Sequence, residues 1–329
     1  MGGRRCARGR PRAALALVAV FAAAAALAPG VAVALLIVAG VWGSAFPMIK
    51  IGLEDFSAPH FTLLRHLVAS LTFVPLLLAF RARLAPRREH LLAFLGLGAC
   101  GFLVYHLALN YGSERVSAGA ASLIIATAPA MTAILAAVVE RDRLPALGWV
   151  GSAVSFAGVA LIVMADGREA ATQGFTLYAW FIVVAALATS VYAVYQRRMF
   201  AHYRPIEVAA FATWAGTLPM LAFASGLAGA VATAGGASLG AALYAGVLPS
   251  AVAYTIFAFA LSKANVTVVT AFLYLVPVFA LLTAWLLLGE VPPLLTIAGG
   301  AMAILGVVLL NRAKRAAAAR AVAVSTTPA

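Results

Sequence analysis

Ten apolar runs of about twenty residues, parted by short polar breaks, leave this chain few ways to fold. They cover about 31–50, 58–80, 91–111, 117–139, 146–165, 174–196, 206–227, 237–262, 266–288 and 293–311. A helix gains about 1.5 Å per residue, so each run matches the ~30 Å hydrocarbon core of a bilayer. The alternating segments of about ten residues that a membrane barrel needs are absent. With 64% hydrophobic and 10% charged residues, and a mean hydropathy of +1.03, the chain is not a soluble globular domain. The sequence predicts an all-α polytopic membrane protein of ten transmembrane helices.

The second half echoes the first. Pro129, Asp142, Pro145, Gly151 and Gly158 return as Pro277, Glu290, Pro293, Gly299 and Gly306, each 148 positions later, and Lys50 returns as Arg198. Proline and glycine answer to backbone geometry, and a carboxylate in an apolar chain is costly to misplace, so the constant offset marks a duplicated unit. Five crossings per unit return the chain on the opposite side, so the second unit must be inverted. The expected organisation is a basic, Ala-rich extension over 1–30, five-helix repeats over 31–165 and 174–311, and a basic tail over 312–329.

Charge sets the orientation. Nineteen of the 23 basic residues fall on segments sharing a side with the N-terminus, three (Lys50, Arg115 and Arg168) on the other, and Arg65 lies within a run. That asymmetry predicts cytoplasmic termini in the plasma membrane. It assigns the net charge of +13 to orientation and anionic lipid, not to nucleic acid. The first 28 residues allow three readings: a cytoplasmic or interfacial extension, a signal peptide cleaved after Ala26-Leu27-Ala28, or an eleventh helix.

Polar residues within the runs are the candidates for function. Trp42, Gly43 and Ser44 precede Pro47 and Lys50, a combination suited either to close helix packing or to a cavity wall. Arg65, followed by His66, either snorkels to the interface or joins Lys50 in a positive, outward-facing rim for a carboxylate-bearing solute. His106 and Asn110, four apart beside Tyr105, share a face that either bonds a neighbour or lines a path. Tyr192 and Gln196 in the sixth run, Pro249, Ser250 and Tyr254 in the eighth, and Thr267, Thr270 and Tyr274 in the ninth complete the polar set. Pro129 and Pro277 mark equivalent candidate hinges, with Pro47 a third. Gly148, Gly151, Ser155, Gly158, Gly299, Gly300 and Gly306 form small faces for helix packing or a homodimer. The uncharged stretch 224–238 reads as an external loop.

These features resemble the EamA family of the drug/metabolite transporter superfamily. The likeness rests on Trp42-Gly43-Ser44-Ala45-Phe46 with Lys50 following, Leu64-Arg65, the Ala- and Ser-rich fourth run ending near Asp142, and Gly289-Glu290. His66 stands where that family more often has an aromatic residue, and Glu140 and Asp142 replace a Gly-Glu pair in the first half. The resemblance implies export or facilitated passage of small metabolites, including amino acids, by alternating access. An intramembrane enzyme or a non-transporting sensor is the alternative. No carboxylate lies in the middle of a run, which favours facilitated diffusion or exchange, and no cofactor or metal is expected.

Overall fold

A computed structural model describes residues 29–139, 144–169, 175–263 and 272–325. The readings of the first 28 residues, Glu140, Asp142, Thr267 and Thr270 lie outside it. Helices α1 (Pro29–Gly52) and α2 (Ala58–Ala79) are continuous, and α3 (Arg88–Ser113) holds a π segment over Ala99–Val104. Helix α4 (Ala118–Val139) is broken into Ala118–Ile125 and Ala128–Val139. Next come α5 (Ala146–Glu169), α6 (Phe175–Met199) and α7 (Pro205–Met220). Helix α8 joins Gly236–Val247, a π segment over Leu248–Val252, and Ala253–Lys263. Helices α9 (Phe272–Leu288) and α10 (Leu294–Ser325) follow. Among the described residues nine helices are long and apolar enough to span a bilayer, and α9 is a shorter apolar one, consistent with ten crossings.

Local chemistry sets several helix ends. Ser57 and Ser117, both extended, accept the amides of His60 and Ala120 and so cap α2 and α4. Gly289, at φ +67°, ends α9 in the left-handed conformation that side chains resist. The stretch expected as an external loop is partly helical: Leu227–Thr233 forms a short helix and α8 already begins at Gly236. Its alanines favour helix wherever the chain is not forced to turn.

Packing obeys the duplication. Helix α1 rests on α8 and α9, and its equivalent α6 rests on α3 and α4. The α2–α8 contact is matched by α7–α3, while α5–α10 and α2–α7 join equivalent helices. Irregularities also repeat: the π segments of α3 and α8 end 148 positions apart, and Ala128 and Val276, where the regular parts of α4 and α9 begin, share that offset. Pro129 and Pro277 are each the second residue after those breaks. Proline there frees a carbonyl one turn earlier, so the helix restarts rather than continuing.

The small faces meet within the chain. A Cβ on Gly158 would lie 2.5 Å from Ala303 N and 2.6 Å from Gly299 O, and Gly151 faces Gly306 O at 2.6 Å. Glycine lets α5 and α10 touch backbone to backbone, where dispersion replaces the hydrophobic effect as the source of association in lipid. Gly98 and Gly246, again 148 apart, give α3 close access to α7 and α8 close access to α2.

Loops latch the repeats together at both ends. At one end, Glu207 accepts Arg83 N at 2.9 Å and Arg204 N at 2.8 Å, and Tyr203 Oη accepts Arg87 N at 2.9 Å. At the other, Asp55 accepts Gly235 N at 2.8 Å and Ser238 Oγ donates to Ile51 O at 3.0 Å. Hydrogen bonding from Ser238, then from the Gly235 amide, holds the Asp55 carboxyl below its ordinary value.

Two outcomes follow. Gly158→Ala should destabilise the protein by about 1–3 kcal/mol through overpacking, whereas Gly96→Ala, with nothing within 4 Å, should be neutral or stabilising; thermal melts in detergent check both. Because the Asp55 value is depressed, its contribution is present above the unfolded value of about 3.9 and is lost as pH falls through the lower folded value. Protection of the Gly235 amide, measured against the free-amide exchange rate at each pH, should therefore fall only under acid, and Asp55→Ala should lower it at neutral pH.

Candidate functional site

The irregular turn of α8 lies beside α2 and that of α3 beside α6 and α7, and polar side chains gather near both. A π turn widens the helix and leaves a carbonyl without its usual partner. The indole Nε1 of Trp42 donates to Pro249 O at 2.9 Å, meeting that need from α1. Ser250, one residue on, donates to Ala245 O at 2.8 Å and accepts Arg65 Nη2 at 3.1 Å. Ser190 Oγ on α6 lies 2.7 Å from Ala186 O and 2.9 Å from Ala128 O, and so links α6 to the start of the second part of α4.

Arg65 is only 3% exposed, so it neither snorkels nor forms a rim. Gly246 lets α8 approach α2 so closely that a Cβ there would lie 2.6 Å from Arg65 O. Tyr105 and Tyr254 are its electrostatic neighbours, and no carboxylate pairs with it among the described residues. Its Nε and Nη1 have no hydrogen-bond partner among the described residues. A buried guanidinium satisfied at one nitrogen of three is costly, since both desolvation and unmade hydrogen bonds oppose it.

His66 and His106 sit beside it with ring centroids 4.4 Å apart. His66 Nδ1 lies 2.8 Å from Thr62 O and His106 Nδ1 lies 3.1 Å from Phe102 O. A carbonyl only accepts, so each Nδ1 carries the hydrogen, and the neutral ring presents Nε2 as an acceptor. Thr62 Oγ1 donates to Ala58 O and accepts Asn110 Nδ2, both at 2.6 Å. His66 Nε2 and Asn110 Oδ1, both buried, have no partner among the described residues. Aromatic rings complete the surroundings: Phe102 lies 5.5 Å from Tyr192 and 6.3 Å from Tyr254, and Trp42 lies 5.3 Å from both Tyr254 and Phe257.

The fold thus brings together Trp42, Arg65, His66, Tyr105, His106, Asn110, Tyr192 and Tyr254. Ser44 pairs with Tyr244 at 2.5 Å on the α1–α8 contact, and Gln196 is half-buried towards the arginine-rich end of α6. Lys50 does not join Arg65. Its Nζ donates to Ser113 O at 3.0 Å and Val116 O at 3.1 Å, tying α1 to the turn between α3 and α4. There it lines a cavity of about 260 Å³ with Arg115, Ser117 and Glu290, and Glu290 accepts Ala118 N at 2.9 Å. Tyr274 bonds to Asn311 and so ties α9 to α10. Pro47 stays within an unbroken α1. Thr62 and Tyr244 were not singled out from sequence; the four-residue spacing of Thr62 and His66 is the signal that could have found the first.

A profile of the EamA-like transporter family matches residues 29–164 and 176–312. A protein of Streptantibioticus cattleyicolor named "Probable terminal-alkyne amino-acid exporter" is 38% identical over 85% of this chain and 92% of its own. An uncharacterized transporter of Bacillus subtilis is 35% identical over 82% of this chain and 86% of its own. A Salmonella typhimurium protein named "Probable amino-acid metabolite efflux pump" is 28% identical over 82% of this chain and 91% of its own. One crystal structure, 18% identical, superposes with a TM-score of 0.58 over 84% of this chain and 94% of its own, a likeness of fold alone.

Proposed function

The chain belongs to the EamA-like transporter family, and on that premise we propose that it exports small carboxylate-bearing metabolites, amino acids among them, through the Arg65 cluster. The observation that carries this is the buried guanidinium with two unpaired nitrogens. A carboxylate accepts two parallel N–H bonds from such a fork and neutralises its charge. Two relatives bear amino-acid export in their names, which agrees with that chemistry.

The route is alternating access. With Arg65, His66 and Asn110 closed off, the two repeats must part before a solute can enter or leave. Pro129 and Pro277, at matching breaks in α4 and α9, are the bending points we assign to that motion. The cavity bounded by Lys50, Arg115 and Glu290 would serve as the outer vestibule. Facing rings of Trp42, Phe102, Tyr192 and Tyr254 suit an apolar or aromatic side chain on the solute.

In this orientation both termini face the cytoplasm and the protein sits in the plasma membrane. Cysteines replacing Ala232 and Ala85, in a background with Cys6 and Cys100 changed to serine, test it. A membrane-impermeant maleimide should label the first in intact cells and the second only after permeabilisation.

Flux is measured in proteoliposomes loaded with radiolabelled amino acids. Arg65→Ala should lower it about 10- to 100-fold, as expected for losing charged hydrogen bonds, while insertion is unchanged. Arg65→Lys should restore little, because an ammonium lacks the planar fork. Undiminished flux from Arg65→Ala would remove the cluster from the transport path.

A further inference from the structure

The unpaired atoms of the cluster are of two kinds, and they divide by position. Arg65 Nε and Nη1 are donors. His66 Nε2 is an acceptor, because Thr62 O already takes the hydrogen on Nδ1. Asn110 Oδ1 is also an acceptor, its amide nitrogen being committed to Thr62 Oγ1. Thr62 therefore anchors both acceptors, one through its carbonyl and one through its hydroxyl. A simple carboxylate would satisfy Arg65 and leave both acceptors buried and unmade.

We propose that His66 and Asn110 form the seat for the ammonium group of an α-amino acid whose carboxylate is held by Arg65. This rests on the reading of Arg65 given above. The zwitterion supplies acceptors to the guanidinium and donors to the imidazole and the amide, and leaves the net charge of the site unchanged. Acid lacking the amine gives one negative charge and no donor. It can recover a donor in one way, by binding together with a proton on His66 Nε2, which then points an N–H at the solute.

Among the described residues on the neighbouring elements, only His106 offers that proton another place. The titratable side chains around the pair are Arg65 on α2, Tyr105 on α3, Tyr192 on α6 and Tyr254 on α8, beside the two histidines. Helix α7 carries Glu207 at its arginine-rich end, bonded to Arg83 N and Arg204 N, and α1 carries Lys50 at the opposite end, bonded to Ser113 O and Val116 O.

The test is competition in proteoliposomes. Uptake of a transported, radiolabelled amino acid is challenged with the unlabelled amino acid or with the acid of the same skeleton lacking the amine. At about pH 8 the amine-free acid should compete at least about tenfold more weakly, and the gap should narrow towards about pH 5.5, because binding that takes up a proton is favoured as pH falls. Unlabelled amino acid should compete equally at both pH values. His66→Gln keeps an acceptor but cannot take the proton, so it should retain the preference for the amine while losing the pH effect. Equal competition by the two acids at both pH values overturns the ammonium seat, and so does a pH effect that survives in His66→Gln. Transport of amine-free carboxylates alone would overturn the seat yet leave Arg65 as the carboxylate site. Absence of flux for every carboxylate-bearing solute would overturn both.

Discussion

Backbone within hydrocarbon must bond to itself or to protein, and that constraint decides where this transporter can be irregular. Each departure from α-helix, the π segments of α3 and α8 and the breaks opening the regular parts of α4 and α9, frees carbonyls that lipid cannot satisfy. A side chain from across the bundle answers in α8, where Trp42 reaches Pro249 O. Irregular backbone is therefore confined to the interior, and it is there that polar residues collect. The candidate site is a consequence of the same rule.

Symmetry supplies the frame and its violation supplies the chemistry. The closest approaches are shared by both repeats, Gly98 with Gly246 and Gly151 with Gly299, because backbone contact needs the same absence of a Cβ in each. The polar residues of the cluster are not shared. At the offset of 148, Thr213 stands opposite Arg65, Trp214 opposite His66 and Tyr254 opposite His106. One guanidinium on one side of the two-fold relation gives the interior a direction, with a charged wall and an aromatic wall. A symmetric interior would hold two like charges at close range, adding their repulsion to the desolvation cost of each.

Legibility differed sharply between levels. The crossings and the inversion could be read because apolar length and Pro and Gly positions are local properties. Helix ends came less well: α8 starts at Gly236 inside a stretch that composition alone suggested was loop. Lys50 and Arg65 looked like partners because both are basic and near one side, yet Lys50 caps carbonyls between α3 and α4 while Arg65 turns inward to Ser250. Nothing along α1 or α2 foretells this. Spans that are apolar nearly all round carry no strong stripe to say which face points in.

By itself the sequence determined the class, the number of crossings, the inverted duplication and the residue types able to act. Those follow from bilayer thickness, from parity and from backbone geometry, each of which is written in short stretches of chain. Only the tertiary structure decided which polar atoms meet, bringing Arg65 to Ser250 across 185 positions and Asn110 to Thr62 across 48. It also decided which atoms remain unpaired. Such pairings depend on how each helix is rotated about its axis, and rotation is set by the small-residue contacts of neighbouring helices rather than by any helix alone.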